Sequence, residues 1–196
     1  MPPSNAEKYT QRIRYAIRGL WSGAIDRDQF ESNMTVIVND LAAAAFAEGA
    51  KENGLAPEDY TDKEQQAIND WADSEAEHIG DLAEFVATHS KAEGGTLEMV
   101  QTRGELWALR YPDIVNRAKV LTGKDRKYRW DLGDTEHCTT CSNLAGQIRR
   151  GSFWQAHVLP QNPPNPKLEC KGYRCQCKLV ETMLEPTTRG RLPGGL

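Results

Sequence analysis

All five cysteines of this 196-residue chain fall in its last third, at Cys138, Cys141, Cys170, Cys175 and Cys177. The first two form a Cys-x2-Cys pair within His137-Cys138-Thr139-Thr140-Cys141. After a 28-residue gap the others form Cys-x4-Cys-x-Cys. Two residues between thiols is the spacing at which one tight turn aims both sulfurs at a single tetrahedral ion, and a second cluster completes the shell. The segment that carries them has few aliphatic residues, and a stretch so poor in core material needs a staple, either a metal or disulfides.

The residues point to a structural Zn2+ held by four of the five thiolates. Cys138, Cys141, Cys170 and Cys175 are the first choice, because Gly172 makes the Cys170–Cys175 spacer a natural turn; Cys177 can replace Cys170. His137 is disfavoured as a ligand, since ligands on adjacent residues crowd each other. The alternatives are two disulfides with one free thiol, or unpaired thiols packed as small apolar groups. An odd cysteine count fits a disulfide framework poorly. The N-terminal Met-Pro-Pro-Ser-Asn-Ala-Glu lacks the basic-then-apolar build of a secretory signal. That implies synthesis in a reducing cytoplasm, where disulfides are disfavoured. The longest apolar run, Leu41 to Ala47, has seven residues, far short of the roughly 20 that span a bilayer.

Helical periodicity dominates the first two thirds. Tyr9, Ile13, Ile17, Leu20 and Trp21 form an apolar stripe over 5–22. Asp26 caps a second helix with Phe30, Met34, Ile37, Leu41 and Ala45 inward and an alanine-rich far face. Thr61 and Glu64 form a capping box that opens a third helix to about Lys91. That helix buries Ile68, Trp71, Ile79, Leu82 and Phe85, with Glu75, Glu77 and Asp81 toward water. A fourth helix covers Thr96 to Arg110, with Leu97, Val100 and Leu106 or Trp107 inward, and Pro112 then kinks or restarts the helix. Beyond Gly123, Lys127 to Leu132 alternates like a strand, Ser152 to Gln155 suits one helical turn, and Arg174 to Val180 reads as a closing strand. Pro160 to Pro166 must be an extended loop. The expected fold class is mainly α, with a helical body over 1–123, a small α+β, zinc-ribbon-like cysteine module over 124–182 and a flexible tail over 183–196.

Charge is unevenly placed. Residues 126–196 carry 11 basic against 6 acidic side chains, and the remainder carries 13 against 22, for a net charge of −4. Such a chain is no general duplex-binding protein, because non-specific affinity comes from a broad basic face. Arg149, Arg150, Arg189 and Arg191 are ordinary surface residues that could touch DNA only weakly.

The run Tyr128-Arg129-Trp130-Asp131-Leu132-Gly133, then His137-Cys138-x2-Cys141, Leu144-Ala145-Gly146, Trp154, Pro160 and Leu168-Glu169-Cys170-x-Gly172-x2-Cys175-x-Cys177-x-Leu179 resembles the C-terminal motif of MuF-like phage head-morphogenesis proteins. In that family a helical region precedes a Cys-x2-Cys element, a proline-rich loop and a closing Cys-x-Cys. The resemblance covers residues 5–182. It departs where many members carry a His-Pro pair before the final cysteines, because Leu168-Glu169-Cys170 stands here instead. It implies a minor capsid protein found in the virion head, and in host cytoplasm during assembly. The expected partners are the portal protein and major capsid or scaffold proteins, with at most weak contact to packaged DNA, no membrane and no small-molecule substrate.

No catalytic residue is assigned. An all-thiolate shell is closed to substrate, and no phosphate loop, nucleophile elbow or His-Glu-x2-His helix appears. His78 and His89 are expected as solvated helix residues, and His157 to pack on the proline loop. Trp21, Trp71 and Trp107 belong to the core, whereas Trp130 and Trp154 cover the metal site or dock a partner. The competing functions are a zinc-stabilised DNA nuclease and a host-directed adaptor.

Overall fold

The computed structural model describes residues 3–123, 126–160, 165–173 and 175–187. Helices α1 (Asn5–Ser22), α2 (Arg27–Lys51), α3 (Asp62–Ala76), α4 (Ile79–Thr88), α5 (Leu97–Ala108) and α6 (Tyr111–Thr122) come first. Strand β1 (Lys127–Asp131), helix α7 (Thr139–Leu144), strand β2 (Ile148–Arg150), helix α8 (Gly151–His157) and strand β3 (Lys178–Glu181) follow. The protein is therefore mainly helical, with a small three-stranded sheet beside the cysteines. Most of the proline-rich loop and of the expected tail, including Arg189 and Arg191, lies outside the described residues, as does Arg174.

The chain forms two compact units, Met1–Ala45 with Thr61–Tyr111 and Phe46–Tyr60 with Pro112–Leu196. In the first, most of the expected stripes are buried: Ile13 and Ile17 on α1, Phe30, Met34 and Leu41 on α2, Ile68 and Trp71 on α3, Ile79 and Leu82 on α4, and Val100 on α5; Phe85 is only half-buried, and its neighbour Val86 takes the inward place. Local signals set the helix starts. Asp26 Oδ1 accepts from the Gln29 N–H at 2.8 Å, and Thr61 and Glu64 complete their capping box. Gly104 on α5 leaves room for Ile17 of α1, whose Cδ1 would lie 2.0 Å from any added Cβ.

Several expectations are corrected here. The third helix is two helices, interrupted at Glu77 and His78, so His78 and His89 stand at the two ends of α4. His89 is not simply solvated: its ring packs on Phe85 with centroids 4.4 Å apart. Glu75, expected toward water, is 2 % exposed and ion-paired with Arg110. It lies four residues from both Trp71 and Ile79, so the helical period itself places it on the buried stripe. A carboxylate is tolerated there because a guanidinium meets it. Trp107 rather than Leu106 takes the inward position, Leu106 being 45 % exposed. Trp21 is only half-buried, with its indole donating to the Gly95 carbonyl at 3.2 Å.

The second unit holds the cysteines together with α6 and residues 46–60, which composition alone assigns to the helical body. Gly49 sits so close to α6 that an added Cβ would lie 2.3 Å from the Val115 carbonyl oxygen. Asn53 donates to the Lys119 carbonyl and the Thr122 hydroxyl at 2.8 and 2.7 Å, closing the end of α6. Pro112 starts this separate helix, where its missing N–H costs nothing. Strand β1 is the centre of the sheet, antiparallel to β2 on one side and β3 on the other. Its alternation turns Tyr128 and Trp130 inward. The closing strand begins at Lys178, later than expected, because Cys175 to Cys177 lies outside the ladder, beside the other thiols.

Replacing Glu75 by Ala would leave the half-buried Arg110 guanidinium beside an apolar gap without this carboxylate. Losing one partner of such a pair costs about 3–5 kcal/mol, so urea unfolding should show at least the lower figure. A loss below about 1 kcal/mol would mean that the pair is solvated as on an ordinary surface.

Candidate metal centre

The Cys-x2-Cys turn is built by α7. Cys138 is the residue before its first turn, in extended conformation, and its sulfur accepts from the Cys141 N–H at 3.5 Å. Both sulfurs thereby lie on one side of the turn. On the second stretch, Lys171 and Gly172 both have positive φ, 52° and 79°, and the Tyr173 N–H closes the turn on the Cys170 carbonyl at 3.1 Å. Two successive positive φ values suit glycine at the second position and strain most residues at the first. Asn165, 4 % exposed, braces the approach to this turn. Its amide donates to the Leu159 carbonyl at 2.9 Å, and its oxygen accepts from the Lys167 N–H at 3.1 Å.

The two stretches are clasped by residues between the sulfurs. Glu169 accepts from the Thr139 N–H at 2.9 Å, and the Glu169 N–H donates to the Thr140 hydroxyl at 3.3 Å. Sequence reasoning assigned no role to Thr139, Thr140 or Glu169. Their positions inside Cys-x2-Cys and beside Cys170 were the available signal. A second missed element is Gly133, whose added Cβ would meet Gln176 at 2.4 Å, so that only glycine lets the 133–137 loop lie against Cys177.

All five thiols converge, and none is joined in a disulfide. Cys138, Cys141 and Cys170 form one group, and Cys141, Cys175 and Cys177 a second, with sulfurs within 4.8 Å inside each group. Cys141 and Cys175 are 3.9 Å apart. This exceeds a covalent S–S bond, about 2.05 Å, and matches the edge of a thiolate tetrahedron, about 3.8 Å for a metal–sulfur distance near 2.3 Å. The disulfide alternative is thus not the arrangement adopted. Cys138, Cys141, Cys170 and Cys175 line one cavity of about 280 Å³, together with His137. Cys177 lies behind it, fully buried. The sulfurs are placed to hold a metal ion.

Electrostatics divide the thiols. Hydrogen bonds from Cys141 and Cys175 pull Cys177 down to about 3 against its burial, helped by the Gly133 N–H and the Trp130 indole. For Cys138, burial disfavours the thiolate, but the backbone N–H groups of Cys141 and Cys170 outweigh it and lower the pKa. Cys141 moves up, because it donates hydrogen bonds to Cys175 and Cys177 and is buried. Burial pushes Cys170 up to about 11, with Cys138 and Cys175 adding to the effect. The two lowered thiols, Cys138 and Cys177, thus fall one in each group, and a cation there would compete with protons for the sulfurs.

The surrounding core is aromatic. Trp130 and Trp154 are both fully buried, with ring centroids 5.5 Å apart, and they pack with Cys141, Cys177, Leu144, Leu168 and Leu179. They cover the centre and are not placed to dock a partner. The Trp154 indole donates to the Tyr128 carbonyl at 2.9 Å. His157 stacks on Phe153, with centroids 4.1 Å apart and its Nδ1 against the Phe153 carbonyl; most of the proline loop it was expected to meet lies outside the described residues. The Arg149 guanidinium lies over the Phe153 ring, 5.4 Å from its centroid.

Titrating the reduced protein with Co2+ should produce thiolate-to-cobalt charge-transfer absorption and the intense visible bands of tetrahedral cobalt. Octahedral, water-like cobalt spectra would show that the sulfurs do not gather a cation. No family model, curated protein or solved structure matches the chain.

Proposed function

We propose that this protein is a non-enzymatic minor head protein of a tailed phage, and that its C-terminal module is held rigid by structural zinc. The observation that carries the reading is the ordered motif from Tyr128 to Leu179, folded so that its Cys-x2-Cys element and its Cys170–Cys177 segment meet in one buried cluster. Those are the residues through which the chain resembles the MuF-like family. Zinc suits the donors, because a soft thiolate set with tetrahedral edges is that of a structural zinc or iron–sulfur site. A structural zinc contributes on the order of 10–16 kcal/mol to folding, enough to fix a module whose core is two tryptophans and a few leucines.

Two features favour a structural role over the nuclease. The ring nitrogens of His137 lie against the Gly133 carbonyl and the Cys177 sulfur, and His157 is stacked on Phe153. Neither is free to activate water beside an ion. No helix among the described residues is long and apolar enough to cross a membrane.

Purified protein should contain zinc, and Cys138→Ser should lower both metal content and thermal stability. Mass spectrometry of virions from the encoding phage should find the chain at a few copies per portal. Zinc-containing protein that is missing from virions would remove the head-protein assignment and leave the metal centre standing. Metal-free protein would remove the zinc.

A further inference from the structure

We infer that the ion is held by three thiolates alone, Cys138, Cys141 and Cys170, and that its fourth side opens on the adjoining cavity to an exchangeable neutral donor. Water fills that position at rest, and an imidazole nitrogen displaces it. This rests on the zinc reading and deepens it.

Distances select the three. Two ligands of one ion stand no farther apart than twice the bond length, about 4.6 Å for zinc and thiolate. Cys138, Cys141 and Cys170 all lie within 4.8 Å of one another, so a slight contraction brings them onto one ion. Cys175 is 3.9 Å from Cys141, but it groups with Cys141 and Cys177 and stands beyond 4.8 Å from at least one of Cys138 and Cys170. No histidine, aspartate or glutamate among the described residues joins either group of sulfurs. His137 is turned elsewhere, with Nε2 2.9 Å from the Gly133 carbonyl oxygen and Nδ1 3.8 Å from the Cys177 sulfur. The described chain thus brings three donors to an ion that takes four.

Access selects this group over the other. A metal site needs an entry path. Cys138, Cys141 and Cys170 all line the cavity of about 280 Å³. Cys177 of the other group does not line it and is fully buried. The Glu169 clasp on Thr139 and Thr140 joins the two stretches beside these same three sulfurs, so the trio is gathered without help from the ion.

The cavity has room for the fourth donor and a group to meet it. Its volume is several times the roughly 30 Å³ that one water occupies. The Thr135 hydroxyl oxygen borders it, buried and without a hydrogen-bond partner. Such a group is uncommon, and it can accept from the second nitrogen of an imidazole, the kind of outer bond that orients a ring on a metal. Charge favours a neutral ligand. Three thiolates already outweigh a dication, and the Glu136 carboxylate belongs to a residue lining the same cavity. A fourth anion would add repulsion in a place only partly open to water.

X-ray absorption at the zinc edge of the full chain, loaded with Zn2+ and freed of thiol reductant, counts the donors. Three sulfurs and one nitrogen or oxygen are expected. Four sulfurs overturn the open position and leave structural zinc standing, whereas protein that takes up no zinc overturns both. In the Co2+-loaded protein, imidazole should shift the visible bands saturably, and bands indifferent to imidazole overturn the exchangeable donor. Thr135→Val should leave cobalt content unchanged and raise the half-saturating imidazole concentration about tenfold, the loss of one hydrogen bond; an unchanged concentration overturns the role of that hydroxyl. N-acetylhistidinamide shifting the bands as imidazole does assigns the position to a histidine of another chain, and imidazole alone doing so assigns it to a small free ligand. Cys170→Ser should lose the metal and Cys175→Ser should keep it with the same spectrum. Loss of a sulfur donor in Cys175→Ser overturns the choice of three, and that variant decides alone should Cys170→Ser fail to fold.

Discussion

The fold of the second unit depends on sulfur atoms from two stretches, separated by 28 residues, being gathered into two overlapping groups within 4.8 Å. Charged thiolates repel one another, and burial makes that repulsion stronger. Something must hold the stretches together before a cation neutralises them. The Glu169 clasp on Thr139 and Thr140 does so with backbone hydrogen bonds on both sides, and the turns at α7 and at Lys171-Gly172 aim the sulfurs inward. A cation bound among these sulfurs would neutralise that repulsion, and metal binding and folding would then be one equilibrium in this module.

Around the sulfurs the core is small but well satisfied. Trp130 and Trp154 supply most of its bulk, and large aromatics dominate the energetics of small cores. The Trp154 N–H is used on β1, and Tyr128 donates through its hydroxyl to the Lys119 carbonyl at 3.0 Å. Asn116, 3 % exposed, accepts from the Leu179 N–H at 3.3 Å and ties β3 to α6. The cysteine segment alone lacks these partners. It borrows Val120, Asn116 and Lys119 from α6, and α6 is in turn braced by Gly49 and Asn53. A compositional change near residue 123 marks where the chemistry changes, not where the packing does.

What could be read from the sequence was what local chemistry decides. The capping box at Thr61 and Glu64, the Asp26 cap, the restart at Pro112 and the alternation of Tyr128 and Trp130 each depend on residues within one or two turns. Glu75 shows the limit. Its spacing put it on the buried stripe, but its charge argued against that place, and the deciding partner, Arg110, is 35 residues away. The interruption at Glu77 and His78 carries no glycine or proline, and the apolar period runs through it without a change of phase, so nothing local announced it. The late start of β3 has the same origin: the pull on Cys175 to Cys177 comes from Cys141, across the module. At the centre itself, residue types and spacing identified all five sulfurs. The clasp residues were invisible, because threonine and glutamate between cysteines look like ordinary surface.

Adjacency of His137 and Cys138 shows how chain direction sorts the donors. Side chains on neighbouring residues of an extended backbone point to opposite sides. The backbone before α7 is extended at Cys138, and the His137 ring is tied back to the Gly133 carbonyl, beside the Cys177 sulfur. Cys138 instead groups with Cys141 and Cys170, while Cys175 and Cys177, two apart and so on one side of an extended segment, group together with Cys141. Cys141, at the end of the α7 turn, is the sulfur at which the two stretches meet.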